Sequence, residues 1–270
     1  YPTDFAFGAN GEAVSLTRYA DATSDDLTVL RKLIGESAYP DAEVHITEWS
    51  SSPSSRDHIH DTVFAATYIT RAYLRCAELA DSISYWTFTD IFEEGGAGIG
   101  PFHGGFGLVN EQGIHKPTFH AFAMLNRLGD RLITSTERGV VSRHSGTGKL
   151  AALFFNYPDD LNGRSVGSRS SYEATRDLIG LGTEQHVRHT IGGLKPGAAF
   201  AVEILGPGHG DAAEAWSAIG QPLNLSRAQA AYLREQGDAL QRQSLIASQR
   251  GTLEIDLALA PWAVASVFEL

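Results

Sequence analysis

Between residues 44 and 129 short apolar strands alternate with amphipathic helices, and no other feature constrains the fold as strongly. The run Val44-His45-Ile46-Thr47-Glu48-Trp49 reads as a strand, closed by a Ser/Pro-rich loop from Ser50 to Ser55. From about Ile59 to Ala80 the residues Val63, Ala66, Ile69, Tyr73 and Ala77 recur at helical spacing. Ser82 to Phe88 predicts a second strand. A Gly-rich loop from Glu93 to Gly107 then leads to a helix opened by Pro117 and closed near Gly129. Upstream, Ser24 predicts a helix cap, with Asp25 and Asp26 in the first turn and Leu27, Leu30, Leu33 and Ile34 on one face. Strand, helix, strand, helix is the pattern of βα units and a parallel sheet. Two such units fit here, whereas a closed (β/α)8 barrel takes about 250 residues. A piece this short exposes the edge of a parallel sheet, so an upstream segment or a second chain is expected to complete it.

From about Arg131 the rhythm changes to short β-rich runs: Val140-Val141, Leu150 to Phe155, Phe200 to Ile204, Leu253 to Leu257 and Ala263 to Phe268. Turn signals such as Asn162-Gly163 and Pro196-Gly197 separate them, which predicts an antiparallel sandwich. One helix interrupts, where Ser226 and Gln229 form a capping-box pattern. Ser165 to Ser171 reads as a loose surface loop. A net charge of −11 repels a phosphate backbone, so no nucleic-acid partner is expected. No apolar run approaches the roughly 18 residues of a membrane span, and the start lacks the basic and apolar regions of a signal peptide. Cys76 is the single cysteine, so no internal disulfide forms and the thiol reads as buried and structural. Nothing requires an oxidising compartment, and the cytoplasm or periplasm is the expected location.

Several side chains invite chemistry. Glu48 stands at the C-terminal end of a short strand, where barrel enzymes place catalysts. By the two-residue period Val44, Ile46 and Glu48 share one face, which points the carboxylate inward; the plain alternative is a strand-end Glu paired with an Arg. Ser82, Ser84 and Trp86 share a face of the next strand, and an aromatic ring at a barrel mouth makes a floor for a sugar. The loop Asp90-Ile91-Phe92-Glu93-Glu94 brings two adjacent acids towards the same mouth. His103-Gly104-Gly105-Phe106-Gly107 lacks the spacing and Lys of a phosphate-binding loop, so a tight loop is expected. His58, His60 and Asp61 lack further ligands at zinc-like spacing, so neither metal nor cofactor is expected. No G-x-S-x-G elbow is present.

Taken together, His45-Ile46-Thr47-Glu48-Trp49, His60-Asp61-Thr62, Ser84-Tyr85-Trp86-Thr87-Phe88-Thr89-Asp90-Ile91-Phe92-Glu93-Glu94, His103-Gly104-Gly105-Phe106-Gly107-Leu108 and Lys116-Pro117-Thr118-Phe119-His120-Ala121-Phe122 resemble the C-terminal part of the barrel in glycoside hydrolase family 39. That family includes β-xylosidases and α-L-iduronidases. The resemblance implies an α/β plus β fold: the C-terminal portion of a (β/α)8 TIM barrel over residues 1–128, about strands 7–8, then a β-sandwich over residues 129–270. It gives Glu48 the role of nucleophile, and Trp86 and Glu94 places in the sugar subsite. Tyr1-Pro2 resembles the end of the family's H-x-Y-P segment, which sets Tyr1 at the border of the site. The family's acid/base lies in an Asn-Glu-Pro motif. The chain's Asn110-Glu111 is followed by Gln112 and stands elsewhere, so that role is not transferred. The implied activity is that of a retaining, exo-acting β-xylosidase on xylo-oligosaccharides or other small glycosides, with the acid/base supplied from outside these residues. The alternatives are a related glycosidase, such as an α-L-iduronidase or arabinosidase, and a non-catalytic carbohydrate-binding or structural remnant. The acidic segment around Glu94 favours a neutral pentose over a uronic acid.

Overall fold

The structure, a computed structural model, describes residues 1–7, 10–11, 13–91 and 96–270. A hairpin opens it: β1 (Thr3–Phe7) and β2 (Ala13–Thr17) pair antiparallel, with Thr3 opposite Thr17. Helix α1 (Ala22–Gly35), strand β3 (His45–Trp49), helix α2 (Val63–Cys76), strand β4 (Ser82–Tyr85) and helix α3 (Pro117–Leu125) follow. Strands β3 and β4 run parallel, His45 opposite Ser82 and Ile46 opposite Ile83. The alternation of strand and helix therefore yields the parallel pair it predicts.

Local details depart from the sequence reading. Helix α1 begins at Ala22, not at Ser24, and Ser24 Oγ instead donates to the Asp21 carbonyl at 2.8 Å. Asp21 stands at the N-cap yet makes no cap bond, because Arg71 takes both its oxygens at 2.8 and 2.6 Å. Of the four residues expected on one face, Leu27 is buried and Ile34 packs beside it, whereas Leu30 and Leu33 are exposed. Helix α2 starts at Val63 because a 3₁₀ turn over His58–Asp61 and an extended Thr62 precede it. It ends at Cys76, so Ala77 falls outside it.

The remainder is β5 (Arg131–Thr136), β6 (Gly139–Arg143), β7 (Leu150–Phe155), β8 (Val166–Gly167), α4 (Arg176–Ile179), β9 (Gln185–Ile191), β10 (Ala199–Leu205), α5 (Ala212–Ala218), α6 (Arg227–Asp238), β11 (Gln241–Ile246), β12 (Leu253–Leu259) and β13 (Val264–Glu269). Six strands form one antiparallel sheet in the order β11-β10-β13-β7-β6-β5, and β12 pairs with β9. Both sheets bury side chains in one cluster: Ala152, Phe154, Val202 and Val267 from the first, Val187, Ile255 and Leu257 from the second. The segment expected to be a loose loop is tied down. Strand β8 pairs with β2, and Arg169 N–H donates to Asp57 Oδ1 at 2.9 Å. Without β8 the second edge of β2 would present unpaired backbone groups at Leu16 and Thr17, and this segment satisfies them.

A second cluster joins the two halves of the chain. Phe64, Tyr68 and Ile69 of α2 and Trp49 of β3 pack with Leu153 and Phe155 of β7, Tyr157 and Trp262. Cys76 is free and buried under α1, and burial pushes its thiol up to about 12. At ordinary pH it stays protonated and inert.

Candidate active site

Strand β3 carries the sharpest candidate, and a bulge decides where it goes. Ile46 pairs with Ile83 but Trp49 pairs with Tyr85, so the register slips by one residue between them. Val44 and Ile46 pack with Leu27, Ile34 and Cys76. Trp49 turns to the same helix side, its Nε1 donating to Thr23 Oγ1 at 3.1 Å and its ring lying against Tyr68 and Tyr73. The expected grouping of Val44, Ile46 and Glu48 on one face is thus corrected: the slip frees Glu48 from the apolar face, and its side chain is exposed. Its Oε1 accepts the Tyr1 hydroxyl at 2.6 Å, across 47 positions of sequence. No Arg takes that carboxylate among the described residues.

Beside it, β4 keeps its alternation. Ile83 and Tyr85 pack inward, while Ser82 and Ser84 are exposed on the other side. Trp86 follows the strand, half-buried, and its backbone N–H donates to the Trp49 carbonyl at 2.8 Å. The peptide between Trp86 and Thr87 is cis. Glu93 and Glu94 lie outside the described residues, so the expected sugar contact at Glu94 has no structural account.

Sequence reasoning missed what holds the described part of the Gly-rich loop. Lys116, fully buried, sits between Asp61 Oδ1 at 2.7 Å and Asp90 Oδ2 at 2.6 Å, and donates to the Gly105 carbonyl at 3.0 Å. The other oxygens of the two carboxylates accept backbone N–H groups of the same loop, Gly104 to Asp61 Oδ2 and Gly107 to Asp90 Oδ1, each at 2.7 Å. Burial alone would lower the Lys116 ammonium, but the two carboxylates outweigh it and hold the group above its ordinary range. Asp90 is therefore a structural anchor of the loop. The available signal was a cation immediately before Pro117, the N1 proline of α3.

The histidines are engaged in the same way. His60 Nδ1 donates to the Gly104 carbonyl and His103 Nδ1 to the Gly100 carbonyl, both at 3.0 Å. Burial lowers the His58 pKa, with Asp61 at 3.7 Å pulling the other way. Among the described residues two groups could offer three metal ligands, His115 with His120 and Asp238, and Asp90 with His103 and Glu111. Both are already committed: His115 Nδ1 to Asp238 at 2.7 Å, His120 Nε2 to the Gly237 carbonyl at 2.6 Å, and Asp90 to Lys116. A cavity of about 600 Å³ between α2 and the β5–β6 hairpin holds none of the predicted site residues, whereas one of about 200 Å³ is lined by Tyr1, Pro2, Thr23, Ile46 and Trp49.

The geometry thus brings Tyr1 to Glu48 at the end of β3, beside Trp86. Against known proteins, the family profile described as "Glycosyl hydrolases family 39" matches residues 1–254. A "Beta-xylosidase" from Geobacillus stearothermophilus is 42% identical over 132 residues, 49% of this chain and 26% of that protein. Another from Caldicellulosiruptor saccharolyticus is 44% identical over 134 residues, 49% of this chain and 27% of that protein. Among solved structures, the GH39 enzyme from Xanthomonas axonopodis pv. citri superposes with a TM-score of 0.82 at 28% identity, covering 100% of this chain and 53% of that one. A monomeric β-xylosidase from Caulobacter crescentus gives 0.81 at 29% identity, covering 100% and 54%. The chain spans about half the length of these structural relatives.

Proposed function

Since this chain belongs to the glycosyl hydrolases of family 39, we propose that it carries the nucleophile half of a retaining β-xylosidase. In this reading residues 1–128 are the C-terminal portion of a (β/α)8 barrel and residues 129–270 a sandwich packed on it. Its parallel β3–β4 pair and antiparallel sheets are consistent with that division. Glu48 acts as its carboxylate and attacks the anomeric carbon. A carboxylic acid about 5–5.5 Å away protonates the departing oxygen, and water later releases the covalent glycosyl-enzyme. That acid/base comes from an upstream segment or a second chain. Trp86 offers its ring to the sugar face, Glu94 accepts hydrogen bonds from sugar hydroxyls, and Tyr1 orients Glu48.

The observation that supports this most directly is the 2.6 Å bond from the Tyr1 hydroxyl to Glu48, at the mouth end of β3. A donor in that position fixes the rotamer of a nucleophile. The relatives named as β-xylosidases, and the acidic stretch of sequence around Glu94, support a neutral pentose as the sugar.

The test uses the full protein that carries this chain and an aryl β-xyloside. Glu48→Gln is expected to lower kcat by at least ~10⁴-fold, because it removes the covalent route itself. A 2-fluoro-xyloside should label a peptide containing Glu48. Turnover untouched by Glu48→Gln, or a label on another residue, defeats the proposal.

A further inference from the structure

We infer that Phe106 is a positioning residue for Glu48, held by the buried Asp61–Lys116–Asp90 triad and acting through the ring of Tyr1; this rests on the nucleophile reading of Glu48.

Consecutive residues of the loop are gripped by different buried groups. Gly104 is held through its N–H by Asp61 and through its carbonyl by His60, Gly105 by Lys116, the Phe106 carbonyl by the Tyr85 hydroxyl at 3.0 Å, and Gly107 by Asp90. None of the three glycines has room for a side chain. A Cβ at Gly104 would lie 2.6 Å from the Asp57 backbone, at Gly105 2.3 Å from Asp90 Oδ1, and at Gly107 2.3 Å from the Asp90 nitrogen. Gly104 also sits at φ +74°, where other residues are strained. From Gly104 to Gly107 the only side chain is therefore that of Phe106, which is 4% exposed. Its ring lies 5.0 Å from His60 and 6.3 Å from Tyr1, centroid to centroid. The Tyr1 hydroxyl then reaches Glu48.

A clamp serving stability alone would not need ions. Well-packed apolar residues of similar volume usually stabilise a core as well as a buried ion pair does, or better. What a triad with five polar contacts adds is a unique position for the backbone it holds. Here the one side chain on that backbone supports the ring that meets the nucleophile. A shift of about 1 Å at a reacting group costs on the order of 10²-fold in rate, so a support one residue removed carries kinetic weight.

A double-mutant cycle separates positioning from stability. Phe106→Leu, Tyr1→Phe and the double variant are made in the full protein that carries this chain, and all are measured well below their melting temperatures. The readouts are the inactivation rate by a 2-fluoro-xyloside, which reports the attack step, and kcat and KM on an aryl xyloside. Phe106→Leu should slow inactivation about 10-fold with KM within about twofold. The double variant should be no slower than Tyr1→Phe within about twofold, because both changes act through one hydrogen bond. If Phe106→Leu does not fold, Phe106→Met replaces it in the cycle. Losses that multiply, or a Phe106 variant with an unchanged inactivation rate, overturn the inference. Turnover that survives Glu48→Gln defeats the nucleophile reading and this inference together. Turnover lost in Glu48→Gln with multiplying losses in the cycle defeats this inference alone.

Discussion

Strands β3 and β7 lie against one another's core yet treat their side chains in opposite ways. All six residues of β7 are buried, because neighbouring strands flank it on both edges and apolar clusters cover both faces. In β3 only Trp49 is fully buried, and His45, Thr47 and Glu48 are exposed. The same difference runs through the surroundings. Around β7 the buried groups are mostly hydrocarbon and aromatic, with only uncharged polar side chains such as Ser142, Asn156 and Ser266 among them; behind β3 and β4 a full ammonium is buried between two carboxylates. The β-rich half stabilises itself by burial, which tolerates small shifts. The strand–helix half spends polar groups on fixing where a loop lies, which does not.

The largest effect that would sharpen this contrast is expected at Lys116. Lys116→Met leaves Asp61 and Asp90 facing each other in a site closed to water. Removing one partner of a buried pair costs about 3–5 kcal/mol, against which the gain from an apolar side chain is small. Denaturant unfolding should report that loss, and Asp61→Asn with Asp90→Asn added to Lys116→Met should recover part of it. A Lys116→Met protein of unchanged stability would mean that the two halves are held by the same physics after all.

How much of this was legible in the residues follows from the range of the forces involved. The parallel pair, the buried Cys76 and the runs that became β6, β7, β10, β12 and β13 were readable, because periodicity and burial are local properties of a chain. The β1–β2 hairpin, β9 and β11 were not, since β11 reads Gln-Arg-Gln-Ser-Leu-Ile and β9 mixes His and Arg with Val and Ile. Edge strands solvated on one face lack a strong apolar pattern. At the site, Glu48 was identifiable by its place at a strand end, but its separation from Val44 and Ile46 came from a bulge that pairing with β4 imposes. Asp21 at α1 illustrates the same limit: a good capping residue was diverted by Arg71, fifty positions away. The triad spans residues 61, 90 and 116, and only the fold brings them together.

A smaller effect, confined to pH, is expected where the β-rich half buries a carboxyl group with no cation beside it. Asp211 caps α5, its Oδ1 accepting the Glu214 N–H at 3.1 Å, and burial raises its pKa to about 7. The unfolded value lies near 3.9. Between these pH values the folded protein holds a proton that the unfolded chain has released, so stability falls as pH rises through that window. The full contribution is present below about pH 4 and is lost above about pH 7. About three pKa units correspond to at most about 4 kcal/mol. Asp211→Asn keeps an N-capping oxygen and removes the titration, so its melting temperature should exceed the parent's at pH 8 and match it more closely at pH 5. Parallel melting curves across that range would contradict the assignment.

The smallest effect tests whether the β-rich half also contains a local device independent of either core. Helix α6 starts from a full capping box: Ser226 Oγ accepts the Gln229 N–H at 3.2 Å, and Gln229 Oε1 accepts the Ser226 N–H at 2.9 Å. Both groups are exposed, so no desolvation is involved and the bonds compete with water on nearly equal terms. Ser226→Ala should cost about 1 kcal/mol, and Ser226→Asp, which retains a capping acceptor and adds charge at the positive end of the helix, should cost less. Because α6 reaches the strand–helix half through Leu233, which packs with Phe102 and Ile114, through Arg234, which donates to the Gln112 carbonyl, and through Gly237 and Asp238, which bond to His120 and His115, fraying at Ser226 starts seven or more residues from the joints that the helix makes. The loss should therefore appear in stability without changing turnover, whereas a matching fall in kcat would show that the two halves are coupled along the whole length of α6.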